Sequence, residues 1–433
     1  MHKSLWTESV ELPSFPTLDK NIKTDVLIIG GGICGILCTY FLKQSGLNCV
    51  LLEKDRICGG TTQNTTAKIT SLHGLVYKDL IKNFGKETAQ KYFCANEDAI
   101  KKYSELSRNI DCDFEFQTAC TYSRDNIKII QEEFNALNSL GANAKMMLES
   151  SLPIGFKGAV GLDNQAQFNP LKFLKAIVKD LPIYENTPVI EVTSEGAICS
   201  KYKVKAEKII VATHFPFINK HGNYFIKLYQ HRSYVIALEN AQNVDGMYVD
   251  DDELGLSFRT SGNLLLLGGG GERTGKKCGG WAELERFARK HYPKSKIKYK
   301  WAAQDCMSLD KIPYIGLYYK NNPNLYVATG FNKWGMTSSM VAATVLCDMI
   351  NGKENDYADI FSPSRSIITP QLFINGVETI SNFVIPTRRR CPHLGCALKW
   401  NKHEHSWDCS CHGSRFGEDG SLLNNPATKG LKE

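Results

Sequence analysis

Residues 391–416 read CPHLGCALKWNKHEHSWDCSCHGSRF and crowd four cysteines and four histidines into 26 positions of a chain that has only ten histidines. Cys391-x-His393 and Cys409-x2-His412, with 15 residues between the two pairs, offer two thiolates and two imidazoles. That donor set suits tetrahedral zinc. It suits equally a [2Fe–2S] cluster in which two histidines replace two cysteines on one iron. Spacing alone leaves both open. His403 and His405 fall on a polar strand-turn between the pairs and are expected to be solvated.

A second constellation lies near the start of the chain. In TDVLIIGGGICGILCTYFLKQSGLNCVLLEK, residues 24–54, Gly30, Gly32 and Gly35 form G-x-G-x-x-G between an apolar strand and an amphipathic helix. Glu53 follows 23 residues after Gly30, at the end of the next strand. The first glycine permits the tight turn, the second lets backbone approach a pyrophosphate, and the third allows close helix–strand packing. Amides at the helix N-terminus favour the pyrophosphate charge, and Glu53 suits a ribose hydroxyl better than a 2′-phosphate.

Two further stretches favour FAD over NAD. Gly59 to Ala67, GGTTQNTTA, is small and hydroxylic and can wrap a pyrophosphate and ribityl chain. LYVATGFNKWGMT, 325–337, offers backbone amides after a strand, suited to the pyrimidine end of a flavin. Together these pieces resemble the FAD-dependent oxidoreductases of the D-amino-acid oxidase and glycine oxidase superfamily, over roughly residues 22–352. The resemblance implies cofactor contacts from Gly30, Gly32, Gly35 and Glu53, and from Gly60, Thr61, Thr62, Thr66 and Ala67. It implies that Val189 presents backbone to the adenine and that Thr213 lies beside the cofactor. Gly330, Phe331, Trp334, Gly335 and Thr337 would stand near the isoalloxazine. Gly268 to Gly271 is expected to be a structural turn beside the flavin, because it follows a hairpin strand and lacks the lysine and Ser/Thr of a phosphate loop.

The flanks of the Cys/His pairs carry a second resemblance. CPHLGC and CSCHGSRF are similar to the two cluster-binding loops of Rieske proteins. This implies Cys391, His393, Cys409 and His412 as ligands of a [2Fe–2S] cluster, and a disulfide between Cys396 and Cys411. Two departures stand out. Ser410 occupies a position where proline is usual, and only about 25 residues separate the preceding linker from Cys391, too few for the full set of strands under a Rieske domain. Arg388, Arg389 and Arg390 immediately precede the first ligand; they read as a solvated basic edge, with docking of an acidic carrier as the sharper alternative.

The elements that must position these groups follow from periodicity. The glycine turn sits in a βαβ unit. Helical patterns follow at 95–109, 128–140, 169–181, 281–291 and near 338–350, with strands at PVIEVTSE, AEKIIVAT and NLYVATG and a hairpin at 255–269. The expected architecture is an α/β Rossmann-like FAD-binding domain with an inserted antiparallel-sheet substrate domain, plus a small all-β Rieske-type module. The flavin domain spans 1–352, with FAD-binding segments at about 22–75, 150–225 and 300–352 and substrate-domain segments at about 76–149 and 226–299. A polar linker covers 353–366 and the module covers 367–433. Arg232, Tyr234 and Arg259 lie on strands of the inserted domain and could hold a carboxylate, although structural ion pairing is the commoner role for such arginines. No catalytic side chain is legible.

Composition narrows the class. The chain has 433 residues, 42% hydrophobic and 22% charged, with a net charge of +7 and no basic tract interleaved with aromatics, which argues against nucleic acid. There is no apolar run of the ~20 residues a membrane span requires, and no secretory h-region behind the first charges. A cytoplasmic location is expected, since eleven of the fifteen cysteines are scattered singly before residue 391. The combined reading is an oxidoreductase similar to bacterial fusions of an amino-acid-oxidase-like domain with a Rieske domain. It would take electrons from a small organic substrate, an amine or amino acid by analogy, and pass them singly to a partner such as a carrier protein. Histidine ligation places such clusters at roughly −150 to +300 mV, which makes that direction downhill more often than not. The alternatives are a flavin oxidase that uses oxygen and keeps the metal centre as structure, and a redox-sensing protein.

Overall fold

The second half of the strand Ile22–Ile29, Val26 to Ile29, is continuously apolar because both of its faces are covered. In the computed structural model, which describes residues 3–218, 221–252, 255–387 and 389–431, it lies at the centre of a largely parallel sheet. Arg388 of the expected basic edge lies outside the described residues. Ile22–Ile29 pairs in parallel with Cys49–Leu52 on one side and Tyr202–Val211 on the other. Ile183–Tyr184 and Leu325–Thr329 extend the two sides in parallel, and Tyr314–Leu317 closes one edge in the antiparallel sense. The helices Ile33–Gln44 and Gly335–Ile350 cover one face, with Leu37, Ile36, Met340 and Leu346 fully buried between them and Ile28. Side chains of Leu27, Val211, Phe215 and Tyr318 fill the other face. Doubly covered strands of this kind are the expected setting for a dinucleotide at the carboxyl ends of the sheet.

The inserted domain is a nine-stranded sheet, antiparallel throughout except where Met247–Asp250 runs parallel to Glu115–Ser123. These two strands come from separate segments of the chain, so no hairpin constrains their direction. At the other end of the sheet, Leu228–Glu239 is flanked by Lys296–Ser308 and Leu264–Arg273. Here one expectation is corrected. Gly268 to Gly271 is no turn but part of the strand Leu264–Arg273, at a bulge where the register shifts opposite Arg232 and Tyr234. Glycine is required by close approach: a Cβ on Gly271 would lie 2.3 Å from the Arg232 carbonyl oxygen, and one on Gly270 would lie 2.4 Å from that of Gly280.

The polar stretch 353–366 is fastened to the flavin domain. Ile360 and Phe361 are buried, and the Arg365 guanidinium grips Asp310 (Nε–Oδ2 2.6 Å, Nη2–Oδ1 2.8 Å) while lying 3.9 Å from the Tyr314 ring centroid. A helix, Pro370–Val384, then opens the C-terminal module. It is an element the all-β expectation did not contain. Proline at its first position and a Thr369 hydroxyl accepting from Leu372 N at 3.3 Å define its start. Four short antiparallel strands follow, Leu398–Asn401, Ser406–Cys409, Arg415–Gly417 and Leu422–Asn424. This is the reduced base anticipated from the short spacing. The module compensates by leaning on the flavin domain.

Candidate flavin and cluster sites

The glycine turn is shaped by contacts that only hydrogen can satisfy. Gly30 has φ +112°, and a Cβ there would sit 2.6 Å from the Ala212 carbonyl oxygen. A Cβ on Gly35 would lie 1.9 Å from the Gly30 oxygen. Gly32 differs: a Cβ would meet only the Thr62 hydroxyl, at 3.3 Å, so the space above it is open. That open space at a helix start is where a pyrophosphate fits. Glu53 Oε2 accepts from Gly31 N at 2.7 Å and Oε1 from Asp55 N at 2.9 Å. Burial raises its pKa, and these amides partly offset the effect. The Thr62 hydroxyl accepts from Ile33 N at 3.0 Å, and the Thr61 hydroxyl donates to Gln304 O at 3.0 Å.

Above this turn lies a cavity of about 700 Å³. Of the expected cofactor residues, Gly30, Gly32, Glu53, Gly60, Thr61, Thr62, Thr66, Val189, Thr213, Gly330, Phe331, Trp334 and Gly335 line it. Gly35, Ala67 and Thr337 do not. Gly35 serves the turn from below, the Ala67 oxygen accepts from Arg259, and the Thr337 hydroxyl donates to Thr70 O at 3.2 Å.

Two wall residues had no sequence signal. His73 stacks on Trp334 (centroids 4.9 Å, 13° between planes), with Nδ1 2.7 Å from the Tyr92 hydroxyl; burial pushes it down to about 3, so it stays neutral. Lys68 is pushed down to about 7 by burial, with nearby Arg259 adding to the effect, and can take up or release a proton near neutrality. A lone histidine and a lone lysine carry no motif. The three residues considered for a carboxylate are otherwise engaged. Arg232 pairs with Glu404, Arg259 donates to the Thr66 and Ala67 carbonyls, and the Tyr234 hydroxyl accepts from Asn401 Nδ2 at 3.2 Å.

The cluster pocket is assembled by two loops. Cys391 and Cys409 are buried, and the rings of His393 and His412 lie edge to face with centroids 4.9 Å apart. His412 Nδ1 is buried and has no hydrogen-bond partner among the described residues, as a nitrogen reserved for a metal would be. Cys396 and Cys411 form a disulfide that ties one loop to the other, with Cα atoms 6.6 Å apart. Their sulfurs and Cys409 Sγ lie within 4.8 Å of one another, but a bridged pair has no thiolate to give a metal. That leaves two thiols and two imidazoles converging, the donor set a mixed-ligand cluster needs.

The two sites face each other. The Phe215 ring lies 6.4 Å from His393 and 6.5 Å from His412, and Phe225 lies 6.3 Å from His412. Gln304 Nε2 donates to Gly413 O at 2.7 Å, so one residue connects Thr61 at the cavity with the second cluster loop. Gln230 Nε2 donates to His412 O at 2.7 Å, and Arg273 donates to the Ser410 and Cys411 carbonyls at 2.9 and 3.1 Å. From the module, Asn425 Nδ2 donates to Thr213 O and Phe215 O at 3.0 and 2.7 Å. Leu422 to Asn425, Ala427 and Thr428 complete the cavity wall. The docking donors Gln230, Arg273, Gln304 and Asn425 were not legible, and His403 was misplaced. It packs against the flavin domain, close enough that a Cβ on Gly280 would meet its ring at 2.7 Å. His405 is exposed, as expected.

A Rossmann-like dinucleotide fold with an inserted sheet, joined to a two-loop Cys/His site, defines an oxidoreductase with a flavin and a Rieske cluster. The chain belongs to the FAD dependent oxidoreductase family, which matches residues 25–349, and carries a Rieske [2Fe-2S] domain at 372–433. Its cofactors are FAD and a [2Fe–2S] cluster. It is 35% identical to YhfW of Bacillus subtilis (strain 168), named as a Rieske 2Fe-2S iron-sulfur protein, over 100% of this chain and 97% of that one. Gamma-glutamylputrescine oxidoreductase of Escherichia coli (strain K12) is 23% identical over 78% of this chain and 86% of its own. In fold, glycine oxidase from Geobacillus kaustophilus superposes with a TM-score of 0.67 at 17% identity, covering 80% of this chain and all of that one.

Proposed function

We propose that this chain oxidises a small amine or amino acid in the cavity and delivers the electrons singly, through the cluster, to a partner. When bound, FAD supplies a two-electron acceptor and the cluster a one-electron carrier. We assign FAD to the cavity lined by Gly32, Glu53, Thr61, Thr62, Val189, Thr213 and Trp334, and the cluster to Cys391, His393, Cys409 and His412. The domain limits we adopt are 1–352, 353–366 and 367–433. The observation that carries the reading is the tripeptide Thr213–Phe215. Thr213 and His214 line the cavity, while the Phe215 ring contacts both histidines of the cluster site. A cluster held by these four residues would have its two histidine ligands on the side of the flavin domain. The name of the Escherichia coli relative, with a putrescine moiety, supports an amine, and Lys68 is a wall residue able to take up a proton from one near neutral pH.

The test is anaerobic reduction of the holoprotein with a panel of amines and amino acids, followed at the flavin and cluster absorption bands. We expect both to bleach with one substrate. In Cys409→Ser protein, iron should be lost while FAD is retained and still bleaches, and reduction of a one-electron acceptor dye should fall to near background. Flavin bleaching with the cluster left oxidised in the intact protein would instead support a flavin oxidase whose metal centre is structural.

A further inference from the structure

The helix Pro370–Val384 turns its polar side toward the protein and its apolar side outward. Its buried residues are Asn375 and Asn382. Asn375 Oδ1 accepts from Arg273 Nη1 at 2.7 Å, the Asn382 carbonyl accepts from Ala397 N at 3.0 Å, and Glu378 pairs with Lys276 at 3.2 Å. The opposite side carries Phe373, Val377, Ile380 and Val384, spaced four, three and four residues apart, with exposures of 68, 69, 68 and 74%. Ile374 and Phe383 flank the stripe and are exposed as well. Singly exposed apolar residues are ordinary, but a contiguous stripe at helical spacing marks a surface that meets a second apolar phase.

What lies against it is indicated by area and charge. The helix has 15 residues, hence is about 22 Å long and about 10 Å wide, a footprint near 220 Å². Each side of a stable protein pair contributes about 800 Å², so this stripe alone is too small for a second copy. A lipid surface needs no such area or shape match. The rim is cationic. Arg389 and Arg390 are exposed just past the helix, and Arg390 is held there by the Phe383 and Ile385 carbonyls at 3.2 and 3.1 Å. An apolar helical stripe bordered by cations fits the interface of an anionic bilayer. No described helix is long and apolar enough to cross a membrane, so the attachment would be peripheral.

We propose that the Pro370–Val384 helix seats this chain on an anionic phospholipid surface. The Phe373–Val384 stripe lies at the headgroup boundary, with Arg389 and Arg390 against the phosphates. A Cβ on Gly395 would lie 3.6 Å from the Phe383 ring, so the first cluster loop adjoins this face. The module, rather than the flavin cavity, is then turned to the membrane.

Holoprotein is sedimented with vesicles of phosphatidylcholine alone and of phosphatidylcholine with phosphatidylglycerol in equal parts. Binding to the anionic vesicles should exceed binding to the neutral ones by about tenfold or more, from about a kcal/mol for each surface arginine. It should weaken as salt rises from about 0.05 to about 0.5 M. Val377→Asp with Ile380→Asp should abolish it while FAD and iron contents stay at wild-type levels, since both side chains point away from the protein. Three outcomes overturn the proposal: no sedimentation with anionic vesicles, equal sedimentation of the double variant, or a wild-type dimer that the double variant makes monomeric without any vesicle binding.

Discussion

At the pyrophosphate end of the flavin cavity the chain presents backbone, glycine and small hydroxyls from the turns Gly30–Gly35 and Gly60–Thr62, whereas the cluster pocket is held by side chains reaching in from residues more than 100 positions away. Gln230, Arg273 and Gln304 each donate to a carbonyl of the second cluster loop. The first site is defined by the volume left unfilled, the second by donors that must arrive. The two should therefore fail differently, the flavin site by addition and the module by subtraction.

The largest effects should come from the glycine turn, and two neighbouring glycines separate shape from stability. An added methyl on Gly35 would lie 1.9 Å from the backbone oxygen of Gly30, which has no flexible side chain to yield. Gly35→Ala should cost about 3 kcal/mol or more and give little folded protein. On Gly32 the same methyl meets one hydroxyl at 3.3 Å. Gly32→Val should fold with FAD content near zero, because its side chain fills the pyrophosphate space. Unfolding curves and heat-released flavin check both. Normal FAD in Gly32→Val protein would mean the cofactor lies elsewhere in the cavity.

How much was legible follows the same division. Gly30, Gly32, Gly35, Glu53, Cys391, His393, Cys409 and His412 are readable because their spacing is local and their chemistry restrictive. The docking contacts join residues such as Gln230 and His412 or Asn425 and Thr213, 182 and 212 positions apart, and single polar residues at such separations leave no pattern. The helix Pro370–Val384 shows why periodicity falls short. Its 3.6-residue pattern is present in PQLFINGVETISNFV, but a pattern tells which residues share a face, not which face is inside. Here the polar one is. Gly268 to Gly271 misled for a related reason: glycine signals a turn locally, and only the tertiary approach of Arg232 and Gly280 makes it a strand requirement.

The next effect tests subtraction at the module boundary. Glu404 is mostly buried and is paired with Arg232 from the flavin domain (Nε–Oε2 2.7 Å) and with Arg415 at 3.1 Å. Burial raises its carboxyl, but the two arginines outweigh that and hold it at about 2, below the ordinary 4.5. A carboxyl depressed in the folded state stabilises fully above its unfolded pKa and loses that contribution as pH falls through the folded one. The shift is worth about 3 kcal/mol. Arg232→Ala leaves Arg415 in place, so it should remove part of that contribution and lower stability by about 1–2 kcal/mol at pH 7. Wild-type and variant curves in urea should converge between about pH 4.5 and pH 2. A constant gap across that range would assign the loss to packing rather than charge.

The smallest effect concerns Ser410, which stands where the Rieske pattern has proline. Its hydroxyl donates to Gly275 O at 3.1 Å, across 135 positions of sequence, and the fit is close: a Cβ on Gly275 would lie 2.7 Å from Ser410 Oγ. Proline would stiffen the loop but has no hydroxyl to give the neighbouring domain. Serine suits a module with a reduced sheet that takes its rigidity from what it docks on. Ser410→Ala should cost about 1 kcal/mol, the worth of one neutral hydrogen bond, and leave the electron paramagnetic resonance signal of the reduced cluster unchanged, because the ligands on either side keep their backbone. Ser410→Pro should cost at least as much, despite restoring the residue usual elsewhere. If proline stabilises instead, the second loop is held by its own stiffness, and the contrast between a self-contained flavin turn and a borrowed cluster scaffold fails at this point.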